Sequence, residues 1–112
     1  MLLSIYMSVN SVDPASSIIL LKNANVYAPE AMGLKHLVIG GGEILYIGDE
    51  LPVLDSLLKF DELDLQGQAL LPGFIDAHTH ITGGGGEAGF STRVPPVPLS
   101  QFTQAGVTTA VG

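Results

Sequence analysis

Two histidines one residue apart, His78 and His80, are the side chains in this chain best suited to gripping a metal ion. They lie in the run Phe74-Ile75-Asp76-Ala77-His78-Thr79-His80-Ile81-Thr82. Read as a strand over 74–82, the run puts Asp76, His78 and His80 on one face and Ile75, Ala77, Thr79 and Ile81 on the other, because strand side chains alternate. Residues two apart stand about 6.5–7 Å from each other at Cα, a span across which two imidazoles converge on one ion at about 2.0–2.1 Å. A pair is not a site. Catalytic zinc takes about three protein ligands and a water, so residues elsewhere must complete the constellation. His-x-His also arises by chance on any solvated strand face. The context favours the metal: the pair ends the apolar run 69–75 and a glycine-rich loop follows at once, the way α/β scaffolds mount function at the carboxyl ends of strands.

In that loop, Glu87 is the only charge between residues 83 and 89. It either faces a ligand above the histidines or is a solvated carboxylate, the commoner state of a loop Glu. Arg93 carries the same ambiguity, and His36 lies apart from the pair and reads as structural or exposed. Gly84, Gly86 and Gly89 match G-x-G-x-x-G. The dinucleotide fingerprint further requires a helix opening on the third glycine and an acidic residue about 20 positions on. Here Pro95, Pro96 and Pro98 follow, and residues 105–112 contain no Asp or Glu. A Walker A loop is excluded, since no Lys-Ser or Lys-Thr follows the glycines.

The elements around these residues read as follows. Residues 17–21 and 24–27 are short strands separated by Lys22 and Asn23, and 29–33 is a turn. Residues 34–39 and 43–47 flank Gly40, Gly41 and Gly42 as a hairpin. Val53, Leu54, Leu57 and Leu58 have helical spacing, whereas Leu63 and Leu65 alternate with Glu62 and Asp64 like a half-exposed strand. Gln66-Gly67 closes a turn. Up to Leu71 the pattern is that of a small antiparallel β unit, and Pro72-Gly73 punctuates the chain. Pro98 then opens a helix with Leu99 and Phe102 on one face, Gly106 ends it, and the β-branched run 107–111 is a strand. Strand, loop, helix and strand in that order make a βαβ crossover between parallel neighbours, and two parallel strands with one helix cannot bury their own faces.

Composition narrows the partners. With 112 residues, the chain has the length of one small domain. Acidic residues number 11 against 4 Lys plus Arg, a formal charge of −7, which leaves no basic stripe for nucleic acid or for an anionic membrane surface. There is no Cys, so any metal is held by nitrogen and oxygen, and a reducing cytoplasm is the compartment expected. Residues 1–16 read as a loose extension with no cationic start and no signal-peptide core, and Met7 as an alternative start. Charged residues make up 13%, about half the usual share of a soluble domain, so the chain is expected to pack against further protein or to open a longer polypeptide.

Pro72-Gly73-Phe74-Ile75-Asp76-Ala77-His78-Thr79-His80 resembles the first barrel strand of the amidohydrolase superfamily, and Ala105-Gly106-Val107-Thr108-Thr109 resembles its entry into the second. The run from His80 through Gly83-Gly84-Gly85-Gly86-Glu87-Ala88-Gly89, followed by Thr92-Arg93, is similar to the isoaspartyl (beta-aspartyl) dipeptidase family. This resemblance implies an α/β protein with a β-rich start: a small β-sandwich portion over 17–71, then over 72–112 the first β/α unit and second strand of an incomplete TIM-type (β/α)8 barrel. It also implies a cytoplasmic, homo-oligomeric hydrolase with two zinc ions, which activate a bridging water as hydroxide and polarise the scissile carbonyl of a dipeptide linked through the aspartate side chain. By the same resemblance His78 and His80 ligate one zinc, Glu87 pairs with the substrate's free α-amino group, and Gly85 offers its backbone N–H to the substrate carboxylate. A barrel of this kind takes about 250 residues; the bridging carboxylated lysine, two more histidines, the acid/base aspartate and the substrate-gripping arginines of the family pattern have no counterpart here. No catalytic acid/base is therefore assigned, and the chain alone is expected to be inactive. The alternatives are another amidohydrolase, such as a dihydropyrimidinase-like enzyme, or a non-catalytic β-rich fragment.

Overall fold

The computed structural model describes residues 18–112, so the expectations for residues 1–16 lie outside the described residues. These form two compact units, 18–72 and 73–112.

The first unit is built on β1 (Ile18–Tyr27), which pairs antiparallel with β2 (Ala31–Gly40), which in turn pairs antiparallel with β3 (Glu43–Gly48). On its other side β1 takes β4 (Asp61–Asp64) and β5 (Ala69–Leu70), both parallel. The sheet is therefore mixed, not antiparallel, and the sandwich expected from the resemblance is represented among the described residues by this one five-stranded sheet. Leu21 lies opposite Leu37 on one side and Leu63 on the other, and Leu37 lies opposite Ile47. Residues in such register share a face, so a continuous apolar band crosses the sheet. Its centre is dry, with Leu21 and Leu37 each 1% exposed; Leu20 and Val38, paired with each other on the opposite face of the sheet, are buried as well, as are Ala24, Val26, Leu65 and Leu70.

The two strands expected from 17–21 and 24–27 are one strand with an irregularity. The register slips between Leu21 and Ala24, where Asn23 adopts φ 54°, a left-handed conformation that Asn tolerates. Its side-chain amide donates to Asp64 Oδ1 (2.9 Å), which also accepts the Gln66 N–H (2.9 Å). These two bonds, in that order, hold the Asp64 carboxyl below the usual aspartate value. Beside it Lys22 meets Glu62 at 3.0 Å, and that bond raises the lysine.

The helical spacing over 53–58 does not produce a helix. Asp55 Oδ1 captures the Leu57 N–H at 2.8 Å, an Asx-type turn that competes with helical bonding. Val53 and Leu57 stand 97% and 92% exposed, so the spacing reflects no buried face.

The second unit is a parallel pair, β6 (Phe74–Asp76) and β7 (Val107–Ala110), joined through α1 (Leu99–Gln104). Pro98 stands at the N-cap, and Gly106, at φ 74°, follows the Ala105 C-cap, the left-handed position that glycine fills most readily. None of the described residues from 73 to 112 is buried, consistent with two strands and one short helix being too few to cover their own faces.

Candidate metal centre and its glycine loop

The strand expected over 74–82 stops at Asp76. Asp76 Oδ1 accepts the N–H of His78 at 3.2 Å, an Asx turn that bends the chain out of the sheet just before the histidines. The main chain stays tied to β7: Val111 N–H donates to Asp76 O (2.9 Å) and Thr79 N–H to Val111 O (3.0 Å). His78 and His80 thus sit just past the carboxyl end of β6. Both are exposed, and their rings approach edge-on, with centroids 5.3 Å apart at an interplanar angle of 84°.

That spacing suits one ion. Adding about 1.1 Å from ring centre to nitrogen to a zinc–nitrogen bond of about 2.0–2.1 Å puts each centroid about 3.2 Å from a shared ion; at a tetrahedral angle, two such rings stand about 5.2 Å apart. Among the described residues no group of three or more His, Cys, Asp or Glu gathers around a common point. The pair can supply two of the ligands a zinc needs and no more. Asp76 serves the His78 backbone, and Glu87 does not join the imidazoles.

The loop after His80 is tightly organised. Gly84 and Val94 exchange both backbone hydrogen bonds (3.1 and 2.9 Å), closing a hairpin over 84–94. Inside it Gly89 N–H donates to Gly86 O at 3.1 Å, placing Glu87 on a turn, and a single 3-10 turn covers Phe90–Thr92. No α-helix opens on Gly89, so the helix that the dinucleotide fingerprint requires at its third glycine is missing from the structure as well.

Two of the glycines, Gly83 and Gly85, are required sterically. A Cβ on Gly83 would stand 2.3 Å from Val94 O, and one on Gly85 2.6 Å from Thr92 O, with φ +80° and +75° respectively. Gly84 lies beneath the His80 ring, where a Cβ would meet Nδ1 at 3.6 Å. Between the hairpin limbs, residues 82–85 and 93–96 line an open cavity of about 500 Å³, within the usual range for small-molecule sites of about 300–1,000 Å³. Its only charged lining residue is Arg93, which sequence reasoning left ambiguous and whose place opposite the glycines only the chain reversal reveals. His36 is remote in sequence and structural in role: its Nδ1 accepts the Asn23 N–H at 3.4 Å in the first unit.

Comparison with known proteins gives this geometry a setting. Residues 61–112 match the amidohydrolase family. In sequence and fold the chain resembles the amidohydrolase superfamily. The beta-aspartyl dipeptidase of Fervidobacterium islandicum AW-1, solved in complex with beta-Asp-Leu dipeptide, is 41% identical with a TM-score of 0.77 over 87% of this chain and 25% of that one. A second structure of that dipeptidase gives 41% identity and a TM-score of 0.76 over 85% of this chain and 26% of that one. The imidazolonepropionase of Ruegeria sp. (strain TM1040) is 36% identical over 93 residues, 77% of this chain and 23% of the relative. This amidohydrolase-like chain therefore spans about a quarter of the length of the proteins it matches. No helix among the described residues is long and apolar enough to cross a membrane.

Proposed function

We propose that this chain is the amino-terminal part of a zinc-dependent metallohydrolase that cleaves isoaspartyl (beta-aspartyl) dipeptides. One observation carries the reading: two imidazoles at ion-sharing distance stand just past the end of β6, directly before a Gly-Gly-Gly-Gly-Glu hairpin. The 41% identity to a dipeptidase solved with beta-Asp-Leu supports the substrate class.

Within this reading His78 and His80 hold one metal through neutral ring nitrogens. A bound zinc contributes Lewis acidity and lowers the pKa of a water. Glu87, exposed on its turn, selects substrates with a free α-amino group by charge. Gly85 turns its N–H to the substrate carboxylate: at φ +75° it has no Cβ in the way, and among the described residues its N–H donates to no other group. A second reading, another amidohydrolase activity, is favoured by the imidazolonepropionase match; Glu87 after four glycines separates the two, because a substrate without an α-ammonium group has no use for it.

The test compares the isolated 112-residue chain with the complete enzyme on beta-Asp-Leu in the presence of zinc. The complete enzyme is expected to turn over, with His78→Ala and His80→Ala each abolishing activity and lowering zinc content, and the isolated chain is expected to show none. Turnover by the isolated chain above its own His78→Ala control, or a complete enzyme that leaves isoaspartyl dipeptides intact, refutes the proposal.

A further inference from the structure

The parallel ladder between β6 and β7 skips one residue at the histidines. Bonds along a parallel ladder are evenly spaced and recur at every second residue of a strand. Asp76 O accepts the Val111 N–H (2.9 Å), so the next N–H to reach Val111 O should come from His78. Thr79 makes that bond instead, at 3.0 Å. The His78 N–H is turned away to Asp76 Oδ1 at 3.2 Å, and the chain bends at Ala77 and His78. One residue too many between two ladder bonds is a bulge, a device that re-aims side chains beside functional sites. A regular strand would hold the side chains of His78 and His80 parallel, about 6.5–7 Å apart. With the extra residue their rings stand 5.3 Å apart and edge-on at 84°, near the separation of two ligands sharing one tetrahedral ion. Among the described residues the displaced His78 N–H has no main-chain acceptor, so the Asp76 carboxylate is what holds the bulge. Asp76 is itself fixed, its main chain paired with Ala110 and bonded to Val111.

We propose that Asp76 is the positioning residue of the histidine pair: by taking the His78 N–H, its side chain holds the bulge that turns both imidazoles toward one ion. It acts as an acceptor, not as a metal ligand. Asn supplies the same acceptor at the same reach; Ala supplies none, and Glu is one methylene too long to close the same turn. This rests on the reading of His78 and His80 as metal ligands and extends it to a residue that reading leaves unassigned.

The experiment uses the complete enzyme stripped of metal. Zinc affinity is measured by competition with a chromophoric chelator, and hydrogen exchange is followed at the His78 and Val111 amides of the metal-free form. Asp76→Ala and Asp76→Glu should each lower zinc affinity about ten- to a hundredfold, the usual loss when the group that orients a ligand is removed. Both should speed exchange at the His78 amide about tenfold or more, as expected when one hydrogen bond is lost. The Val111 amide, bonded to the main chain of Asp76, should keep its wild-type rate. Asp76→Asn should restore zinc affinity to within about threefold of wild type, since the turn survives the loss of charge. If Asp76→Asn loses as much affinity as Asp76→Ala, the charge matters and not the turn, and the inference is overturned. It is equally overturned if Asp76→Ala frees the His78 amide and leaves zinc affinity unchanged, or if the Val111 amide speeds up as well, which would make Asp76 a brace for the whole strand end. A wild-type enzyme that binds no zinc removes the metal reading and this inference with it; one that binds zinc and leaves beta-Asp-Leu intact removes the dipeptidase reading alone.

Discussion

Replacing Gly83 by Ala tests whether the loop holds His80 in place. Alanine at φ +80° costs roughly 1–2 kcal/mol in backbone conformation. The added Cβ would also stand 2.3 Å from Val94 O, 3.0 Å from Pro95 C and 3.1 Å from Pro96 N. All three are backbone atoms, so no side-chain rotation relieves the clash and the limb over 94–96 must move away. Moving it breaks the two Gly84–Val94 hydrogen bonds, each worth about 0.5–1.5 kcal/mol net. The sum is about 2–5 kcal/mol concentrated in the hairpin. Hydrogen exchange at the Val94 amide reads it directly: a loss of about 3 kcal/mol speeds local opening more than about a hundredfold. His80 should follow, because its carbonyl accepts the Gly83 N–H at 2.9 Å, so zinc affinity should fall as well. Gly41→Ala is the control, at φ +60° with nothing within 4 Å of the new Cβ; it should leave Val94 unchanged. A Val94 amide that exchanges at the wild-type rate in Gly83→Ala would show that the hairpin does not depend on that glycine.

Two further outcomes follow from the first unit. Asp64 has a folded-state pKa below its unfolded one, so its contribution to stability is complete above about pH 3.9 and is lost as pH falls from there toward the depressed value; Asp64→Asn should flatten the acid limb of urea midpoints, and acid limbs of equal slope would contradict the assignment. Among the described residues β3 is an edge strand of the sheet and exposes Leu45 (58%) and Ile47 (39%), so Leu45→Lys should reduce self-association in sedimentation experiments, and unchanged sedimentation would place the sticky surface elsewhere.

What the sequence reveals and what it hides divide along the range of the forces involved. The hairpin at Gly40–Gly42, the helix between Pro98 and Gly106, and the partnership of His78 with His80 are local, set by turn conformation and a spacing of two residues. The parallel docking of β4 and β5 on β1 joins residues about forty positions apart, and no pattern within one strand announces it. Two of the local departures from the sequence pattern share a cause. At Asp55 and at Asp76 a side-chain carboxylate takes an N–H two residues on, overriding helical spacing in one place and strand alternation in the other. Arg93 was hidden differently, since only the folding back of 93–96 onto 82–85 makes it a neighbour of the glycines.

The Gly84–Val94 bridge separates the loop into a base tied across its two limbs and a tip held by its own local bonds, among them Gly89 N–H to Gly86 O and Thr92 N–H to Gly89 O. Gly84, which lies against the His80 ring, belongs to that bridge, while Glu87 and Phe90 lie in the tip. Under the proposed function, substitutions or length changes in the tip alter which molecules are admitted without disturbing His78 and His80, and a lineage of such enzymes has here a cassette in which new preferences can be tried.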